Sequence, residues 1–177
     1  VIVGRVETPN RPQTHSLLQG LEVFPRRRIP YKTMTLTQLD IDGLLARKPQ
    51  PVPVDELAHK NAPGSRHAKR YQDVEEMLHK GINVYTTVNV QHFESLNDTV
   101  EQITGIRVQE TIPDTILDNA QEVQIIDIPL EELLERLREG KVYIPEQAQK
   151  AMQNFFQRGN LVALREITLF RAARKMD

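Results

Sequence analysis

The segment PVPVDELAHKNAPGSRHAKRYQDVEEML, residues 51–78, holds the densest chemistry in the chain. A short apolar run, Val52 to Val54, leads directly into Asp55 and Glu56. A loop follows that contains Asn61, Pro63, Gly64 and Ser65, then Arg66, His67, Lys69 and Arg70. Acids placed where a buried strand ends, facing a basic loop, are the ingredients of a phosphate-and-metal site in an open α/β sheet. In P-loop nucleotide-binding proteins the acid at that place holds Mg²⁺ on the nucleotide phosphates. The candidate nucleotide-binding residues are therefore Asp55, Glu56, Arg66, Lys69 and Arg70, with Asp55 as the Mg²⁺ ligand through the nucleotide. The same residue types would also serve as helix caps and solvated ion pairs, and the motif alone leaves both readings open.

Other chemistries find less support. A phosphate cradle of the form G-x-x-x-x-G-K-[ST] is absent, and the eight glycines are isolated. Since Val1 reads as the interior of a strand and no initiator Met is present, the expectation is that the cradle lies upstream and that the chain is part of a longer one. Five histidines, at His15, His59, His67, His79 and His92, lack the H-x-x-x-H spacing and nearby Glu of a zinc hydrolase. His92, beside Glu94, is better read as the first turn of a helix than as a phospho-acceptor. No nucleophile-elbow sequence is present, so no residue is assigned a catalytic role. Arg26, Arg27 and Arg28 form a solvated or partner-facing patch without the interleaved aromatic residues of a single-strand nucleic-acid site. With a net charge of −1, nucleic acid is not an expected partner. Cysteine is absent, which excludes disulfides and thiolate metal sites.

These residues need elements to position them. Val1 to Val6, Leu21 to Phe24, Val52 to Val54, Ile82 to Val88 and Glu122 to Ile128 are short, apolar and β-branched, as buried strands are. Helices are predicted over Thr14 to Gly20, over about Thr35 to Lys48 from a Thr35/Gln38 capping box, over Lys69 to Lys80, from Asn89 to Gly105, and from Pro129 to Gly140. Pro53 lacks a ladder donor, which calls for a bulge or an edge position. Strands alternating with helices imply a parallel sheet with helices on both faces. Residues 1–140 are thus expected to form an α/β nucleotide-binding-like domain. Residues 141–177 are expected to extend it as a helical hairpin, 145–157 and 160–175, with Gly159 at the corner, Asn160 as N-cap, and Phe155, Phe156 and Leu164 largely buried. No apolar run approaches the roughly 20 residues that span a bilayer.

Several long segments carry a family resemblance: GRVET at 4–8, GLEVFPRRRIPY at 20–31, VDELAH at 54–59, INVYTTVNVQHFESLNDTVEQITGIRVQETIPD at 82–114 and GKVYIPEQAQKAMQNFFQRGNLVALRE at 140–166. They resemble the N-terminal cytoplasmic domain of the KdpD family, the osmosensitive potassium-channel sensor histidine kinases. The resemblance implies a P-loop-NTPase-like α/β fold, an ATP-binding Gly-rich loop upstream, and a Walker-B-like strand ending at Asp55 and Glu56. It implies a regulatory input domain of a two-component kinase controlling potassium uptake. ATP and Mg²⁺ would be cofactors of the intact parent, with none expected in this stretch alone. Implied partners are the kinase's own downstream domains, a homodimer through the parent and, indirectly, a response regulator. The implied location is the cytoplasmic face of an inner-membrane protein. Departures are Pro53, Pro9-Asn10 in place of His-Gly, and Lys60 where Thr is usual. An autonomous P-loop ATPase or small-molecule kinase, with Glu56 polarising the nucleophile, and a vestigial interaction module are the competing readings.

Overall fold

The computed structural model describes residues 1–8, 11–142 and 155–176. The chain folds as two compact units, Val1–Val88 and Asn89–Asp177. Among the described residues there are seven α-helices and small parallel and antiparallel sheets, so the α/β class stands.

In the first unit β1 (Ile2–Val3) pairs in parallel with β2 (Glu22–Val23), and β5 (Val52–Val54) pairs in parallel with β6 (Val84–Thr86). Backbone hydrogen bonds also join β1 to β5. Gly4 N donates to Pro53 O at 3.0 Å, and Asp55 N donates to Arg5 O at 2.8 Å. The four strands therefore run parallel in the order β2, β1, β5, β6. Pro53 sits inside a strand paired on both sides, and a bulge accommodates it. Pro53 O accepts from both Gly4 N and, at 3.2 Å, Arg5 N, two residues opposite one. Gly4 is required there. A Cβ on it would stand 2.8 Å from Val52 Cγ1 and 3.3 Å from Pro53 O. Gly4→Ala is expected to destabilise the unit by about 1–3 kcal/mol through overpacking, read as a lowered midpoint in thermal denaturation.

Between these strands lies a hairpin that the sequence reading missed. β3 (Arg27–Tyr31) and β4 (Met34–Gln38) are antiparallel, turning at Lys32 with φ 52°. The helix expected from Thr35 begins later, as α2 (Ile41–Arg47). The alternating, β-branched run Met34-Thr35-Leu36-Thr37 favours the ladder. The actual cap is Asp40, whose Oδ1 accepts from Gly43 N at 3.2 Å. The first helix, α1 (Pro12–Ser16), starts two residues early, with Pro at its first position. α3 (Arg70–His79) matches its expectation and packs on α2. The core is Val3, Leu39, Ile41, Leu44, Val52, Val54, Leu57, Val74, Met77 and Ile82.

In the second unit the helix expected from Asn89 is broken. Two 3-10 turns, Val90–His92 and Glu94–Leu96, precede α4 (Asn97–Thr104). Phe93 leaves the helical path because it bridges Ile112: Ile112 N donates to His92 O at 2.8 Å and Glu94 N to Ile112 O at 3.0 Å. α5 (Thr115–Asp118) and α6 (Leu130–Arg138) follow. The strand expected at Glu122–Ile128 does not form. No strand among the described residues offers it a ladder, and Ile126 is 87% exposed. Arg165 instead grips Asp127 with Nε at 2.8 Å and Nη2 at 2.5 Å. The last helix, α7 (Arg158–Met176), takes Gly159 and Asn160 into its first turn, so neither is a corner or a cap. Leu164 is buried as expected, and Leu161 with it, as are Phe93, Val100, Ile112 and Leu137. Phe155 and Phe156 are only half-buried and meet edge to face at 5.2 Å. Most of the expected helix at 145–157 lies outside the described residues. Among the described residues no helix is long and apolar enough to cross a membrane.

Candidate functional site

The carboxyl ends of β1, β5 and β6 lie side by side, which is where ligands sit in open parallel sheets. Each strand delivers polar residues as it ends: Arg5 and Glu7 after β1, Asp55 and Glu56 after β5, Thr87 after β6. Asp55 Oδ1 accepts from Glu56 N at 3.0 Å and from the Thr87 hydroxyl, while Oδ2 accepts from Glu7 N at 3.2 Å. Glu56 has φ 54°, a left-handed backbone that a non-glycine residue keeps only when its surroundings impose it. Its amide also reaches Thr87 Oγ1 at 3.2 Å, and Leu57 N donates to Thr87 O at 3.0 Å.

Arg70 supports this turn from inside. It opens α3, where its own amide donates to His59 O at 3.0 Å, and its side chain is completely buried. Nη1 donates to Asp55 O at 2.7 Å and to Glu56 O at 3.2 Å. Nη2 lies 3.7 Å from Glu7 Oε1, which also takes Arg5 Nε at 2.5 Å. Nε and Nη2 of Arg70 have no hydrogen-bond partner among the described residues. Desolvation, then the neighbouring Arg5, pulls the Arg70 guanidinium below its ordinary pKa, and Glu7, Glu56 and Asp55 act against that.

Glu56 is pushed above the usual carboxylate range by desolvation first, then by the charges of Glu7 and Asp55, against the pull of Arg70 and Arg11. A carboxyl raised in the folded state favours folding below its unfolded pKa, and that contribution is lost as pH rises through the folded pKa. Glu7→Gln removes one of the raising charges. It is expected to bring the Glu56 titration back toward the ordinary range, as read from its carboxyl ¹³C shift against pH.

Of the five residues predicted from sequence, Asp55, Glu56 and Arg70 come together. Arg66 is turned elsewhere, onto Glu76 at 2.5 and 2.8 Å and onto Asp42 at 2.8 Å, where Arg27 joins it at 2.8 Å. This exposed ion-pair network contributes little per pair to stability. Lys69 lies over the Tyr71 ring at 5.8 Å. The loop carrying them is latched down. Asn61 Nδ2 donates to His67 O at 3.1 Å and to Asp73 Oδ2 at 2.7 Å, and His67 Nδ1 meets Asp73 Oδ1 at 2.7 Å. Glu7, Arg5 and Thr87 were missed as site residues. The available signal was positional: each lies within four residues past a strand whose end borders that of β5.

The donor set suits a hard cation. One carboxylate oxygen keeps an open lone pair, and Mg²⁺ is commonly held by one or two carboxylates together with substrate phosphates. His92 has a structural bond, Nδ1 to Glu110 O at 2.7 Å. Among the described residues no cluster of three His, Cys, Asp or Glu side chains has metal-binding geometry.

Comparison with known proteins agrees with the sequence resemblance. The family described as the osmosensitive K⁺ channel His kinase sensor domain, KdpD, matches residues 1–176. The sensor protein KdpD of Escherichia coli is 52% identical over 177 residues, all of this chain and 20% of that protein. The sensor protein KdpD of Clostridium acetobutylicum is 49% identical, again over all of this chain and 20% of its own. The putative sensor protein KdpD of Synechocystis is 48% identical, with 48% of its length covered. The chain thus spans between a fifth and a half of these relatives, and it belongs to the KdpD sensor-domain family.

Proposed function

We propose that this chain is a regulatory, nucleotide-sensing input domain of a two-component sensor histidine kinase that controls potassium uptake. In this reading it has a P-loop-NTPase-like sheet, and MgATP binds at the joined carboxyl ends of β1, β5 and β6 once a Gly-rich loop from the longer polypeptide is present. The observation that carries the reading is the convergence of Asp55, Glu56 and Arg70 on one sheet edge, with Asp55 Oδ2 left able to accept one further contact. Asp55 would hold Mg²⁺ on the phosphates, and the raised Glu56 carboxyl would lie beside it. The partners are the downstream domains of the same polypeptide, which tie it to the inner membrane, a second copy through those domains, and a response regulator.

Calorimetric titration of MgATP into a longer chain carrying the Gly-rich loop tests this. Asp55→Asn is expected to weaken binding by about tenfold or more, as loss of an ionised oxygen ligand to a hard cation should. Unchanged affinity removes Asp55 from the site and favours an interaction module. That second reading draws support from the three hydrogen bonds the Asp55 carboxylate already accepts. Residues 1–177 alone are expected to show no ATP turnover, because positioning dominates phosphoryl transfer and the sequence has no Walker-type cradle. A steady-state rate abolished by Glu56→Gln would instead support the autonomous ATPase.

A further inference from the structure

Thr87 is exposed at the sheet edge and is the first residue past β6, next to Val88, with which the first unit ends. Among the described residues its hydroxyl makes two hydrogen bonds. It donates to Asp55 Oδ1 and it accepts from Glu56 N at 3.2 Å. A carboxylate oxygen accepts comfortably along two lone-pair directions. Asp55 Oδ1 has both filled, by Thr87 and by the Glu56 amide, whereas Oδ2 has one filled, by the Glu7 amide.

We infer that Thr87 is a positioning residue that selects which oxygen of Asp55 is offered to a metal ion. By saturating Oδ1 and fixing the carboxylate plane, it leaves the outward lone pair of Oδ2 as the single ligand position. By receiving the Glu56 amide, it also helps hold Glu56 in its left-handed conformation, with the Glu56 carboxyl presented beside Asp55. Three strands then act on one carboxylate: β1 through the Glu7 amide, β5 through Asp55 itself, β6 through Thr87. The inference rests on the nucleotide reading of this edge for the identity of the ligand, Mg²⁺ on a nucleoside triphosphate, but its geometric half stands apart from any ligand.

Outer hydrogen-bond partners of metal-ligating groups are commonly worth 10–100-fold in metal affinity. The test compares Thr87→Val, which keeps the shape and loses the hydroxyl, with Thr87→Ser, which keeps the hydroxyl. In the 177-residue chain, amide exchange of Glu56 is expected to be about tenfold faster in Thr87→Val and close to the parent in Thr87→Ser. The Leu57 amide, bonded to the Thr87 carbonyl, should be unchanged in both and reports that the edge is folded. In the longer, loop-carrying protein, ATP affinity is measured with Mg²⁺ and with a chelator. Thr87→Val is expected to lose about tenfold of the Mg²⁺-dependent gain, and Thr87→Ser to retain it. Unaltered Glu56 exchange in Thr87→Val overturns the positioning role, whatever the nucleotide result. A full Mg²⁺ gain in Thr87→Val, while Asp55→Asn abolishes it, overturns the selection of Oδ2. If Asp55→Asn is equally without effect, it is the nucleotide reading that falls, and the metal half of this inference with it.

Discussion

Arg70→Met should destabilise the first unit by about 3–5 kcal/mol, the range expected when one partner of a buried charge network is removed. The Arg70 guanidinium is enclosed, and Nη1 is the donor that reaches the carbonyls of both Asp55 and Glu56. Methionine fills much of the volume but donates nothing. The two carbonyls then lack that donor, and Glu7 is left with Arg5 as its cation. The left-handed turn at Glu56 loses its inner support as well. Urea denaturation followed by circular dichroism checks this through the midpoint at constant slope. Arg70→Lys should recover only part of the loss, since an ammonium cannot reproduce the planar fork. A stable Arg70→Met variant with an unmoved Glu56 amide resonance would show that Arg70 is a passenger in the core.

The second large effect is expected at Asp73. This carboxylate is buried, and it receives both Asn61 Nδ2 and His67 Nδ1 at 2.7 Å. Burial raises its pKa above the ordinary range, while the bonds from His67 and Asn61 pull it down. Asp73→Leu removes the acceptor from two donors, the buried Asn61 and the half-buried His67, and a buried donor left unsatisfied costs about 1–3 kcal/mol. The expected loss is roughly 2–5 kcal/mol, with release of the loop between His59 and Arg70. Amide exchange across residues 61–69 should accelerate with the fall in stability, since Asn61 N to Ala68 O at 2.9 Å is one of the bonds closing that loop. Asp73→Asn keeps the shape and one acceptor and should fall between the two. Since its folded pKa is raised, Asp73 favours folding below its unfolded pKa, and this contribution is lost as pH rises through the folded value. In Asp73→Leu that part of the pH dependence should vanish.

Much of the first unit was legible in the sequence because its signals are local. Asp55-Glu56 after an apolar triplet, and the helix from Arg70 with Val74 and Met77 inward, are set by neighbours a few residues apart. The strand ends at Glu7 and Thr87 gave no such signal. Their relation to Asp55 exists only after β1, β5 and β6 align, and sequence separations of 48 and 32 residues hide it. The hairpin at residues 27–38 was lost for the opposite reason. The Thr35/Gln38 spacing imitates a helix cap, and the ladder with Arg27–Tyr31 outweighs it. Phe93 shows the same override, since pairing with Ile112 ends a helical run that periodicity would have continued. At Glu122–Ile128 the apolar pattern is genuine, but a strand exists only with a partner. The placement of Arg66 could not be read either: a basic loop near two acids does not say which carboxylates it will face, and Glu76 and Asp42 hold it.

The bulge at Gly4 and Arg5 gives the start of the chain a phase as well as a shape. Beyond it, alternate residues face alternate sides, so the extra residue decides that the Glu7 amide arrives at Asp55 and that Arg5 and Glu7 share a side. Removing one residue between Gly4 and Glu7 would advance the count by one and bring the amide of Thr8 to the acid. Substitutions in this stretch are matters of degree, whereas insertions and deletions exchange one face for the other. Length should therefore be inherited more strictly here than composition, and lineages of this domain should vary the letters of this segment far more freely than their number.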